Sequence, residues 1–179
     1  MTTYTPVSYT IDPENRIVAV NNGWDIFAEA NQGESITGGA VIGHSVLDFI
    51  SGKVTKEYWR SLLERARHST QALHIDYRCD APHIKRWMRM ELSLLDNGNV
   101  CISHTQLAAE KRNKPIHFEI AQQRGKSSYI RCSQCNKIKQ REVWLEAESL
   151  SETIKINTLL QVVYGLCADC ITLSSIDSS

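Results

Sequence analysis

Leu73-His-Ile-Asp-Tyr-Arg-Cys-Asp80, Arg86-Trp-Met-Arg-Met-Glu-Leu-Ser-Leu94 and Val100-Cys-Ile-Ser-His104 are the three stretches whose reading sets the architecture of this chain. In the first, Leu73, Ile75, Tyr77 and Cys79 alternate with His74, Asp76, Arg78 and Asp80. That is the two-residue period of a strand with one buried face, and it assigns Arg78 and Asp80 to the polar face. Met88, Met90, Leu92 and Leu94 repeat the pattern against Trp87, Arg89, Glu91 and Ser93. Asp96-Asn97-Gly98 is a turn signature, and a three-residue loop with Gly98 in the left-handed region sets Leu94 opposite Val100, Leu92 opposite Ile102 and Met90 opposite His104. A two-residue loop would misalign the apolar faces. Residues 81–85, with Pro82, connect the first two strands of this antiparallel meander.

Upstream, Arg16-Ile-Val-Ala-Val-Asn21 is a short β-branched run that ends in the turn signal Asn21-Asn22-Gly23. Trp24, Phe27 and Ala28 then fall at helical spacing, and residues 32–39 form a polar, glycine-rich loop. Val41-Ile-Gly-His-Ser-Val-Leu-Asp-Phe-Ile50 reads as a loop feeding a short helix. From Val54, apolar residues recur at Tyr58, Leu62 and Ala66, with Trp59 and Leu63 widening the stripe of a longer helix. Downstream, residues 107–128 are rich in Ala, Glu, Lys, Gln and Arg and read as a helical linker, with Pro115 starting its second stretch. The chain therefore divides into 1–106, the linker 107–128, and 129–179.

The last segment carries the specific chemistry. Cys132-Ser-Gln-Cys135 and Cys167-Ala-Asp-Cys170 are two pairs in which a two-residue spacer lets one turn aim both sulfurs at one ion, and two such turns supply the four ligands of a tetrahedral zinc. The interval between the pairs, 136–166, is 31 residues, longer than in the most compact zinc ribbons. Two disulfides or four unconnected core thiols are the bland alternatives. Residues 1–10 contain no apolar leader, so a cytoplasmic, reduced and metal-bound state is expected. A tetrathiolate zinc carries a net charge of about −2. Arg131, Lys137 and Lys139 flank the first pair as candidate neutralising groups, as well as ordinary surface cations. With Cys170 in the first turn of a terminal helix through Ile171, Leu173 and Ile176, the helix end adds to the preference for thiolate. A site closed by four cysteines leaves no position for a zinc-bound water, which fits a structural role and not hydrolysis.

Composition bounds the rest. The 179 residues allow one ordinary domain plus a small appendage that needs help to fold. Twenty basic residues balance 20 acidic ones, which disfavours nucleic acid and anionic lipid as partners. No apolar run reaches the roughly 20 residues of a membrane span. Nor is there a phosphate-cradling loop, a nucleophile elbow or a convincing carboxylate pair, so no enzyme is expected.

The order of a strand, short helices, a longer helix and three antiparallel strands resembles a PAS domain. The residues that carry the likeness are Ile17-Val-Ala-Val-Asn-Asn-Gly-Trp-Asp-Ile-Phe-Ala28, the 41–50 segment, Tyr77-Arg-Cys-Asp-Ala-Pro82 and Arg86-Trp-Met-Arg-Met90, and the likeness covers residues 11–106. It implies an α+β fold, an antiparallel sheet flanked by helices that holds a small ligand and signals through a partner or a homodimer. The tail, with Ile130-Arg-Cys-Ser-Gln-Cys-Asn-Lys-Ile-Lys139, Trp144 and Val163-Tyr-Gly-Leu-Cys-Ala-Asp-Cys170, resembles a cysteine module appended to bacterial sensory and response-regulator proteins, a zinc-ribbon or treble-clef-like unit. Tyr164 stands where histidine is frequent in that module and Ala168 where proline is. Together the two resemblances imply a small signalling adaptor, with Zn2+ held by Cys132, Cys135, Cys167 and Cys170, and a protein partner.

A different class is a redox or cofactor protein, holding iron on the same thiolates or haem or flavin in the sheet domain. The glycine and proline that mark rubredoxin knuckles are missing around both pairs. Among His44, His68, His74, His83 and His104, only His104 falls on the apolar face, beside Met90, where a buried partner is required. It is the one candidate cofactor residue. Cys79 and Cys101 sit on strands as small core residues, outside any motif resembling the reactive-cysteine motif of flavin photoreceptors. Trp24, Phe27, Phe49, Tyr58 and Trp87 read as core.

Overall fold

The computed structural model describes residues 6–30, 33, 36–121, 124–125, 128–150 and 159–176. Residues 32, 34 and 35 of the loop read at 32–39 and 122–123 and 126–127 of the linker read at 107–128 lie outside these, as do residues 1–5. The chain forms two compact units. The first is made of Met1–Ser51, Lys56–Ile75 and Arg89–Gln106, the second of Gly52–Thr55, Asp76–Met88 and Leu107–Ser179.

The first unit opens with β1 (Val7–Ile11) and β2 (Ile17–Val20), an antiparallel pair with an irregularity between Thr10 and Ile11. β1 was not anticipated, although Val-Ser-Tyr-Thr-Ile alternates with period two and its burial follows: Val7, Tyr9 and Ile11 are core. Asn21-Asn22-Gly23 does not close a hairpin. Asn21 instead caps α1 (Asn22–Ala30), its side-chain oxygen accepting from the Trp24 N–H at 3.1 Å and from the Ser8 N–H at 3.0 Å. A short α2 (Gly38–Val41) and a 3-10 turn (Val46–Phe49) precede α3 (Lys53–His68), on which Leu62, Leu63 and Ala66 are buried as the stripe requires. Phe49, read as core, is 45% exposed and meets the edge of His44.

The strands of the meander are β3 (Leu73–Arg78), β4 (Ile84–Leu94) and β5 (Val100–Lys111), in a sheet of order β2-β1-β5-β4-β3. The Leu95 N–H donates to Asn99 O at 2.8 Å and Gly98 has φ +81°, so the loop is the three-residue one and the 94–100, 92–102 and 90–104 pairing follows from it. β5 also pairs with β1, Tyr9 opposite Ile102 and Val7 opposite His104. Met90, Leu92, Val100 and Ile102 are buried, whereas Leu94 at the end of the face is 43% exposed. This is an α+β arrangement, an antiparallel sheet with its helices inserted between β2 and β3.

His104 lies half-buried beside this core, its ring stacked on Tyr9 with centroids 5.7 Å apart, while Tyr9 meets the edge of Trp24. Burial pushes the His104 pKa down to about 4. Because that folded value is below the unfolded one near 6.5, the stabilisation is whole above pH 6.5 and is lost as pH falls towards 4. Up to about 3 kcal/mol is involved, the product of that shift and 1.36 kcal/mol per pH unit. Urea melts at pH 7 and pH 4.5 should differ by much of that amount, and His104→Phe should flatten the difference.

The second unit holds β6 (His117–Ile120), β7 (Tyr129–Cys132), β8 (Ile138–Gln140), β9 (Val143–Leu145) and β10 (Leu159–Gly165), in the order β6-β10-β7-β8-β9. β10 runs parallel to both β6 and β7, and the other pairs are antiparallel. Ile116, Ile138, Leu150, Leu160 and Val162 form its apolar core. The reading of 107–128 as helix is corrected here: Leu107 to Lys111 prolong β5 and 117–120 is β6. Strand pairing outweighs the helix propensity of Ala, Glu and Lys, which amounts to only a few tenths of a kcal/mol per residue. Gly52 has φ +87°, and a Cβ there would stand 2.8 Å from Tyr164 O. Gly52→Ala should therefore cost about 1–3 kcal/mol, read as a lower unfolding midpoint.

Candidate metal centre

The parallel register of β7 and β10 sets Cys132 beside Gly165, so the chain leaves two neighbouring strand ends carrying Cys132 on one and, two residues on, Cys167 on the other. Ser133 fastens the two ends together: its N–H donates to Gly165 O at 2.8 Å and its hydroxyl to the same oxygen at 3.2 Å, while it accepts from the Thr55 hydroxyl. The first turn is closed by the Cys132 N–H to Lys137 O and the Asn136 N–H to Cys132 O, with Asn136 at φ +62°. Asparagine tolerates that left-handed position better than most residues. Cys170 comes from the first turn of α4 (Ala168–Ile176), as its spacing suggested.

These elements bring all four sulfurs within 4.8 Å of one another, with Cys132, Cys167 and Cys170 buried and Cys135 half-buried. Cys135 Sγ and Cys167 Sγ are 3.7 Å apart. A disulfide needs about 2.05 Å, whereas the edge of a tetrahedron with metal–sulfur bonds of about 2.3 Å is about 3.8 Å. The separation is that of ligands around one ion. Trp144 and Leu166 pack against the cluster and restrict water.

The electrostatics agree. Hydrogen bonds from the Cys135 and Cys170 thiols, with backbone N–H groups of Cys135 and Cys167 added, hold Cys132 as a thiolate far below the usual thiol range. In return Cys135, donating to Cys132, is pushed up to about 12, and Cys170 is pushed up by the same two neighbours. One thiolate among protonated sulfurs is what four crowded thiols can sustain by themselves; a divalent cation in their midst would make all four thiolates compatible. The residues present thus fit a tetrathiolate ion, and such an ion would tie the two cysteine turns together with no open coordination position.

Two of the three cations expected to neutralise the site have other partners. Lys139 pairs with Glu142 at 3.1 Å, and Arg131 is buried with its guanidinium 3.9 Å from the Phe118 ring centre and its NH1 3.5 Å from the Tyr164 hydroxyl. Desolvation lowers the Arg131 pKa. Lys137 lines a cavity that also touches Cys135 and Cys170.

What the sequence did not disclose is the support behind the first turn. Arg78 and Asp80, read as a polar strand face, are buried. The Arg78 side chain is 8% exposed and that of Asp80 2%. Asp80 accepts from Arg78 Nε at 2.9 Å and NH2 at 2.6 Å, from the Arg86 N–H at 3.2 Å, and from Arg112 NH2 at 2.5 Å. Arg112 also pairs with Glu148, which Lys85 meets at 3.0 Å. Arg78 lies 4.8 Å from the Trp87 ring centre, and its main chain grips the cysteine turn on both sides: its N–H donates to Gln134 O at 2.7 Å and its C=O accepts from Asn136 Nδ2 at 3.1 Å. Burial works against the Arg78 charge, but the hydrogen bonds and charge of Asp80, followed by Glu146, raise its pKa above the ordinary value. Cys79, next in sequence, has its thiol pKa raised by burial, in keeping with an inert core residue.

Fold and site define an α+β protein with an antiparallel sheet unit and a second unit built round four convergent cysteines. Among solved structures, the PAS domain of the Cronobacter turicensis quorum-sensing receptor RpfR in complex with C12:0 matches with a TM-score of 0.45 at 12% identity, over 60% of this chain and 100% of that one. The same domain in complex with BDSF gives 0.44 at 12% identity with the same coverage. No protein-family model and no curated relative matches the sequence. Among the described residues, no helix is long and apolar enough to cross a membrane.

Proposed function

We propose that the protein is a non-enzymatic cytoplasmic signalling adaptor, in which a PAS-like unit takes up a small ligand or a partner and a zinc-tied unit presents a protein-binding surface. The observation that carries the reading is the convergence of four sulfurs within 4.8 Å on a scaffold whose buried ion pairs hold the first cysteine turn. A closed site of this kind stabilises structure and does not activate water. Signalling then follows as a population shift: a ligand that favours one arrangement of the sheet changes what the chain presents to its partner, by no more than its differential affinity for the two arrangements.

Metal content by mass spectrometry on untagged protein, with its visible spectrum, tests this. One zinc per chain and no visible band supports the adaptor. Iron, or the bands of haem or flavin, would replace it with the redox or cofactor sensor.

A further inference from the structure

The four cysteines are not equally placed. Cys132 and Cys167 are 0% and 1% exposed, and Cys132 also receives backbone N–H donors. Cys135 is half-buried, and it and Cys170 line a cavity of about 310 Å³ whose wall includes Arg78, Lys137, Trp87 and Leu107. Cys170 is 4% exposed, yet of the four cysteines it and Cys135 belong to the lining of that cavity and Cys132 and Cys167 do not. Cys135 and Cys170 come from different chain segments, so a bond between them would join the first cysteine turn to α4.

We propose that Cys135 and Cys170 are an oxidant-sensitive pair: a hydroperoxide entering the cavity converts them to a disulfide and so releases the metal. The inference deepens the zinc reading and rests on it for the release step. The Cys135 thiolate attacks one peroxide oxygen, the O–O bond breaks, and the departing hydroxide takes a proton and leaves as water. Cys135 is then a sulfenic acid. The Cys170 thiolate attacks that sulfur, the S–O bond breaks, and a second water leaves. Two thiolates, one peroxide and two protons give one disulfide and two waters, each sulfur losing one electron and each peroxide oxygen gaining one. Cys132 and Cys167 remain as two thiolates, too few to hold zinc in a closed site. The second unit would then lose the metal that ties its two cysteine turns, which makes the cavity a point of redox control over the partner-binding surface.

The test exposes the full-length zinc-loaded protein to limiting hydrogen peroxide. A zinc-binding dye follows release, and the remaining thiols are alkylated before peptide fragmentation. Fragmentation is required because Cys132 and Cys135 share the tryptic peptide Cys132-Ser-Gln-Cys-Asn-Lys137. The expected result is zinc release in step with a Cys135–Cys170 disulfide, Cys132 and Cys167 staying alkylatable, and severalfold slower release in Leu107→Trp, which narrows the cavity without touching a cysteine. A first disulfide that includes Cys132 or Cys167 overturns the proposal, as does an unchanged rate in a folded Leu107→Trp variant. Protein that purifies without metal would overturn the zinc reading instead, and the pairing of thiols, read from the fragment ions, would still show whether Cys135 and Cys170 are the first pair to oxidise.

Discussion

Cys132→Ser is expected to abolish stoichiometric zinc and to open the second unit to protease, with new cleavage sites within residues 107–179. Cys132 is fully buried and is the sulfur on which the other thiols and two backbone N–H groups converge. Structural tetrathiolate sites supply about 10–16 kcal/mol of apparent binding energy that is also folding energy, more than the few kcal/mol by which a unit of this size is normally stable. Serine is nearly isosteric but a far poorer zinc ligand, so the loss is chemical and not steric. A variant that keeps one zinc per chain and an unchanged digestion pattern would remove the metal from the account of this unit's stability.

The second large effect concerns a residue that binds no metal. Asp80→Asn leaves the shape of the side chain but removes the charge shared by Arg78 and Arg112, both of which are nearly inaccessible to water. Removing one partner from a buried ion pair costs about 3–5 kcal/mol, because the other charge remains buried and uncompensated. Since the Arg78 main chain also holds the first cysteine turn through Gln134 and Asn136, zinc should dissociate faster from the variant as well as the unit melting earlier. A zinc off-rate equal to wild type, with a lowered melting midpoint, would confine Asp80 to general stability.

The two outcomes differ in how visible they were from sequence. The cysteine pairs declare themselves because two ligands on one turn are local, and only their meeting across 31 residues needed the fold. The meander was legible for the same reason, its period and the Asp96-Asn97-Gly98 loop being local signals that the register then obeyed. β1 is also a local signal, since Val7-Ser-Tyr-Thr-Ile11 alternates plainly, though its polar positions and tyrosine dilute the apolar run. The Asp80 cluster could not. Arg112 is 32 residues from Asp80, and a charged residue at an alternating strand position is normally solvated. Only the pairing of distant segments shows that its charges neutralise one another. The mistaken linker helix has a related cause: Leu107-Ala-Ala-Glu-Lys111 has the composition of a helix, yet it continues a strand whose partners lie elsewhere in the chain.

The central claim is that four sulfurs surround one zinc ion, and X-ray absorption at the zinc edge on the purified full-length protein tests it most directly. Four sulfur scatterers at about 2.3 Å with no nitrogen or oxygen shell are predicted. A first shell containing nitrogen or oxygen, or fewer than four sulfurs, would contradict the closed tetrathiolate.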